Sequence, residues 1–245
     1  MDLPRFYCSA LSDSVVMLSA SQAHHLADVL RLNVGQKVEL FDGKGSLALA
    51  EIIRTAHRKV DLKVLELKTV QKPFQKQIII APSIAKGERF DWLIAKCTEL
   101  GVDRISPVLF ERTVKQPKNP KIIQRWQNII VAASQQCRRP FLPQIDAPVP
   151  LPDVIKILKK DSPNSRFLFG SLSENAPALF GQPFGQKDVV AFVGPEGGLT
   201  QQEEKFLNSQ SCQPVRLTDT ILRIETAALA FAALLSAQRS SAKLI

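Results

Sequence analysis

Val189-Val190-Ala191-Phe192-Val193-Gly194-Pro195-Glu196-Gly197-Gly198-Leu199-Thr200 decides how the chain reads. An unbroken apolar, β-branched run suits a strand buried on both faces, and its abrupt stop marks the carboxyl edge of a parallel sheet. Thr200 followed by Glu203 is a capping box, so a helix opens at once. Strand, glycine loop and helix form the usual ligand corner of an open α/β sheet, because glycine lets a backbone approach closely. The same sequence also suits a loop that merely turns.

Working outward towards the C-terminus, a helix is expected over 201–208, a strand over 214–217 and a last helix from about Arg223 to Gln238. Upstream, Leu151–Lys159 reads as a helix and Arg166–Phe169 as a strand ending at Gly170-Ser171. Three loops should therefore leave strand ends near one another: Gly170-Ser171, Gly194–Leu199 and Leu217–Arg223. Arg223 and Glu225 stand at the mouth of an alanine-rich helix, where they suit either chemistry or a simple ion pair in the first turn.

Further upstream, Ile78–Ala81 reads as a buried strand. Phe90, Leu93, Ile94, Cys97 and Leu100 line one face of a helix closed by Gly101. Arg104–Phe110 reads as a strand. Asn119-Pro120 opens a long helix with Ile122, Trp126, Ile129, Ile130 and Ala133 inward, and Arg138 and Arg139 follow its end. Strands alternating with helices specify an α/β domain with a mostly parallel sheet, expected over 77–245.

The first seventy residues differ. Arg5–Tyr7 is strand-like, and Ser21–Leu32 has helical spacing with Ala23, Leu26, Val29 and Leu30 on one face. Val38–Phe41 and Ser46–Ile52 flank the Asp42-Gly43 turn as a hairpin, and Lys59–Leu67 alternates as a further strand. Residues 1–70 are expected to form a small β-barrel of the kind that binds RNA, and polar 71–76 a linker. Gly43-Lys44-Gly45-Ser46-Leu47-Ala48 fits a dinucleotide-binding pattern, but a period-two strand follows it where a helix is required.

The 245 residues carry a formal net charge of +9, which favours a polyanionic partner, nucleic acid before membrane. Cys8, Cys97, Cys137 and Cys212 are scattered and His24, His25 and His57 do not complete a ligand set, so reduced thiols in a cytoplasmic protein are expected, without metal. The apolar stretch Ala227–Leu235 is too short to cross a bilayer. No Lys-Ser or Lys-Thr follows the glycines and no serine sits in a nucleophile elbow, which argues against phosphate-loop and hydrolase chemistry.

Gly194-Pro195-Glu196-Gly197-Gly198-Leu199 together with Ile221-Leu222-Arg223-Ile224-Glu225-Thr226-Ala227 closely resembles the RsmE family of ribosomal RNA methyltransferases, in the SPOUT superfamily. His24-His25-Leu26, Val29–Leu32, Phe41-Asp42-Gly43, Glu99–Val102 and Gln136-Cys137 with Arg139 fall in that family's order, so the resemblance spans nearly the whole chain. It implies a PUA-like N-terminal barrel and a C-terminal SPOUT domain with a deep trefoil knot. It also implies a homodimer and methylation of uridine N3 in 16S ribosomal RNA of the small subunit. S-adenosyl-L-methionine (SAM) would be held by Phe169, Gly170, Gly194, Pro195, Glu196, Gly197, Gly198, Leu217, Ile221, Leu222, Arg223, Thr226 and Ala227. The chain departs from the family's habits at Thr218 and Thr220 (usually Gly and Arg), Gln135 (commonly Glu) and Arg138 (commonly Gly).

For such a transfer Arg223 could stabilise negative charge on the base, and Glu225 or Glu196 could accept its proton. Arg5, Arg31, Lys86, Arg112, Arg138 and Arg139 are candidates for holding the RNA backbone. Methylation of another atom, such as a ribose oxygen, and a non-catalytic RNA-binding protein are the alternatives.

Overall fold

The computed structural model describes residues 3–12, 14–56, 59–72, 76–114, 121–182 and 187–241. The chain divides into two compact units, Met1–Pro73 with Val131–Leu142, and Phe74–Ile130 with Pro143–Ile245. Part of the 71–76 stretch and the Asn119-Pro120 helix start lie outside the described residues.

The first unit contains β1 (Arg5–Tyr7), β2 (Val15–Met17), α1 (Ala20–His24), β3 (Lys37–Phe41), β4 (Ser46–Ala56) and β5 (Lys59–Thr69). They form one sheet in the order β1-β3-β4-β5-β2, antiparallel except where β1 runs parallel to β3. The expected hairpin is present. The dinucleotide-like glycines sit in its turn, where Gly43 and Gly45 take positive φ. Alternating Val38, Leu40, Ala48, Ala50, Ile52, Val60 and Leu62 turn one face inwards onto Phe6, Leu26 and Val16.

The expected helix Ser21–Leu32 is corrected: α1 stops at His24 and continues as a π-helical turn, His25–Val29. The wider turn rotates the following residues, so Ala23 and Leu26 stay buried while Val29 and Leu30 are exposed.

The second unit contains β6 (Ile78–Pro82), α2 (Glu88–Glu99), β7 (Arg104–Ile105), β8 (Val108–Leu109), most of the first part of α3 (Ile122–Gln136), β9 (Gln144–Ile145), β10 (Val149–Pro150), α4 (Leu151–Asp161), β11 (Arg166–Gly170), β12 (Val189–Val193), α5 (Gln201–Ser209), β13 (Gln213–Val215) and α6 (Ile224–Ser241). Its main sheet runs β13-β11-β12-β6-β7-β9, every pair parallel. The quoted run is its β12, buried at all five positions between β11 and β6.

The strand expected over Arg104–Phe110 is two short ones, interrupted at Ser106-Pro107, where proline cannot donate to a ladder. Val154, Ile155 and Leu158 of α4 and Leu207 of α5 cover one face of the sheet with Phe110, Phe167, Phe169 and Phe192. On α3, Trp126 packs its ring 4.8 Å from that of Phe90 on α2, as a core residue. Gly101, just past α2, has φ +85, the left-handed cap that lets the chain reverse into β7.

The four cysteines are free, and all but Cys137 are buried. Among the described residues no helix is long and apolar enough to cross a membrane, and no cluster of three metal-ligating side chains occurs.

Candidate functional site

Because β13, β11 and β12 are neighbours, their carboxyl ends deliver the three glycine-bearing or polar loops to one place. Together they wall a cavity of about 240 Å³ lined by Gly170–Leu172, Val193–Glu196, Gly198, Leu199, Leu217, Ile221 and Leu222. Ala227 and Phe231 of α6 close it. A Cβ on Gly194 would lie 3.1 Å from the Leu199 side chain, a tight approach, whereas one on Gly170 would make only ordinary contact with the Phe231 ring at 3.6 Å. Gly198 has φ +72, a turn that side-chain-bearing residues rarely make.

The loop is held from behind. Thr200 Oγ1 accepts the Glu203 N–H (3.3 Å), and Glu203 Oε2 accepts the Thr200 N–H (2.8 Å), completing the capping box. The other Glu203 oxygen accepts the Glu111 N–H at 2.8 Å, and Arg112 Nη1 donates to the Gly197 carbonyl at 2.7 Å. The segment after β8 thus fastens both ends of the glycine turn.

A second, more open cavity of about 460 Å³ adjoins the first; it is lined by Arg89, Glu196, Ile221, Leu222 and Arg223. Glu196, Ile221 and Leu222 line both. Arg89 donates an ion pair to Glu196 at 2.8 Å and approaches Glu225 at 3.8 Å. Glu225 occupies the first turn of α6 with its side chain only 9% exposed, and its Oε2 has no hydrogen-bond partner. Arg223 is exposed and makes no ion pair with Glu225; Arg89 is the partner instead.

Not every residue expected at the cofactor lies on the lining of the first cavity. Phe169 lies 2% exposed in the core, paired with Phe192 across the ladder, because alternation turns its ring away from the loop that starts at Gly170. Gly197 lies against Arg112, and Thr226, though exposed, also falls outside the lining. Arg223 faces the second cavity and not the first. The three expected loops already held Ser171, Leu199, Thr218 and Thr220; sequence reasoning missed Leu172, Val193, Glu204, Val215 and Phe231 in the first cavity and Arg89 in the second. Most of these flank residues already singled out; Phe231 and Arg89 carry no local signal.

Of the cations proposed for RNA, Arg5 is corrected: it is buried, its guanidinium 4.5 Å over the Phe41 ring and 3.6 Å from Glu39. Burial lowers its proton affinity, while Glu39 opposes that. Arg31 and Lys86 are exposed, Arg31 with φ +54. Arg138 is half-exposed but engaged, bonding Glu39 at 3.1 Å and the Leu3 carbonyl at 3.0 Å. Arg139 is partly buried. His24 bonds Asp28 at 2.6 Å on the surface of the first unit.

A family model described as RNA methyltransferase domain matches residues 72–236, and one described as RNA methyltransferase PUA domain matches residues 18–65. Ribosomal RNA small subunit methyltransferase E of Synechocystis is 33% identical, over 88% of this chain and 70% of that protein. The protein of that name from Neisseria gonorrhoeae, solved bound to S-adenosyl methionine, superposes with a TM-score of 0.82 at 31% identity, over 96% of this chain and 97% of its own. A Legionella pneumophila protein described as a methyltransferase with bound SAM gives 0.87 at 27% identity, over 97% and 98%.

Proposed function

Because this chain belongs to the RNA methyltransferase family, we propose that it transfers a methyl group from SAM to N3 of a uridine in 16S ribosomal RNA of the small ribosomal subunit. The observation that carries the reading is the pair of adjoining cavities, glycine-walled on one side and arginine-lined on the other, with Glu196, Ile221 and Leu222 common to both.

The residues of the first cavity fit SAM. Apolar side chains from Val193, Leu217, Leu222 and Phe231 stand beside the backbone of loops that extend past their strands, the combination that a flat heterocycle with polar edges requires. When bound there, SAM supplies a methyl group activated on a sulfonium. The protein then has two tasks, positioning the acceptor in line and handling one proton. Arg223, exposed in the second cavity, stabilises charge that develops on a uracil oxygen. Glu196, 42% exposed and common to both cavities, takes the N3 proton. Glu225 is too deeply buried to reach it directly.

The target base leaves its stack to enter the second cavity. Residues 1–70 act as a PUA-like barrel that grips RNA, with Arg31 in that domain and Lys86 and Arg112 in the methyltransferase domain of 77–245 as phosphate contacts. Arg138 and Arg139 make weaker ones. The C-terminal domain is a SPOUT fold with a deep trefoil knot, a reading supported by α6 returning from the sheet edge at β13 to pack on β6, β12 and α2. The working form is a homodimer in the cytoplasm. Leu172 (67% exposed) and Ile221 (80%) open apolar surface at the cavity rim that a second copy covers.

Purified protein, labelled SAM and small subunits lacking the modification provide the test. N3-methyluridine is expected in the digested RNA by mass spectrometry, and Arg223→Ala should slow its formation about 100-fold. A label on a ribose oxygen, or none, refutes the assignment.

A further inference from the structure

Arg89 ties two walls of the site together. Its Nη1 reaches carboxylates on two different elements, Glu196 in the glycine loop and Glu225 in the first turn of α6. Its Nε donates to the Lys86 carbonyl at 3.3 Å, which fixes the plane of the guanidinium at the start of α2. Side-chain exposure falls along the series, from 42% at Glu196 through 34% at Arg89 to 9% at Glu225. A buried carboxylate with one oxygen unpartnered is costly, and an arginine nearby offsets only part of that cost.

We propose that Glu225, Arg89 and Glu196 form a positioning chain for the transfer: buried Glu225 anchors Arg89, and Arg89 aims the Glu196 carboxylate at the acceptor base. Resting on the proposed uridine methylation, the inference adds Arg89 as its positioning residue and moves Glu225 from proton acceptor to anchor. The logic is that of a base oriented by a second group, which is in turn held by a third. As the carbon–sulfur bond breaks and the carbon–N3 bond forms, Glu196 takes the N3 proton and Arg89 keeps all of its own. The methyl donor arrives with one positive charge and leaves without it, so the sum is neutral before and after.

The arrangement also explains a feature of the second cavity. Arg89 and Arg223 both line it, yet Arg89 is committed to carboxylates while Arg223 has no ion-pair partner among the described residues. One cation is thereby kept for geometry and the other for the charge on the substrate.

Arg89→Met, Arg89→Lys and Glu225→Gln, assayed on small subunits and titrated with SAM by calorimetry, test the chain. Arg89→Met should lower kcat about 100-fold, the cost of an ångström-scale misplacement, while the KM for subunits and the SAM dissociation constant stay near wild type. Arg89→Lys should recover part of the loss, because a cation returns without the fork, and Glu225→Gln should fall between the two. Unchanged kcat in Arg89→Met overturns the proposal. So does a raised KM with kcat kept, which would make Arg89 a phosphate contact. Loss of SAM binding or of the folded state in both Arg89 variants would make it a structural clamp and equally ends the proposal. A wild-type protein that methylates nothing sinks the underlying function instead, and this inference with it.

Discussion

Thr200 joins the glycine loop to α5 through a single hydroxyl, and Glu203 spends both oxygens on the same junction. Thr200→Ala should cost about 1 kcal/mol of stability, read as a lowered urea midpoint. The same variant should weaken SAM binding about fivefold by calorimetry, since 1 kcal/mol less order in the loop is of that size. Unaltered SAM affinity would mean that the loop is held by Arg112 alone. This junction was legible beforehand because a capping box is local, with its partners three positions apart. Arg89 was illegible for the opposite reason: its partners, Glu196 and Glu225, lie far along the chain and only the fold brings them together. Arg5 misled through its charge, which says nothing of the Phe41 ring that covers it.

Among the elements, the hairpin of β3 and β4 is tied by Asp42, whose Oδ1 accepts the Lys44 N–H at 2.7 Å and the Ser46 N–H at 2.9 Å. Burial alone would raise the carboxyl's proton affinity, but the hydrogen bonds from Lys44 and Ser46 outweigh it and hold the group below its ordinary range. A group lowered in the folded state stabilises fully above its unfolded value and loses that contribution as pH falls through its folded value. Asp42→Ala should therefore destabilise by roughly 1 kcal/mol at pH 7, and the gap to wild type should narrow in urea titrations as the pH falls below the ordinary carboxylate range. A gap independent of pH would assign the effect to turn conformation instead. Elements with several repeats of their period were legible, as β4, β5, α2 and α4 illustrate. The two-residue strands β9 and β10 were not, because they exist only through parallel partners such as Val108 opposite Val149. Nor was the π-helical turn after α1, whose apolar spacing imitates an ordinary helix.

For the molecule as a whole, the strand-like runs of 78–81, 166–169 and 189–193 announced a parallel sheet, but not its order. Runs buried on both faces are interchangeable to a pattern reading, and the order β13-β11-β12-β6-β7-β9 follows from tertiary packing alone. That packing also encloses most of the sulfur. Burial pushes the Cys97 thiol up to about 12 and the Cys212 thiol up to about 11, and raises Cys8 as well. Thiolate is the reactive species, so at neutral pH these three are chemically silent while the chain is folded. Cys137, only half-buried, is the exception. A maleimide should add once to the native protein, at Cys137, with the other three sites reacting only as molecules unfold; two rapid additions by mass spectrometry would contradict this. The molecule thus carries its own attachment point for a reporter dye and, in its slow thiols, a built-in clock of its opening.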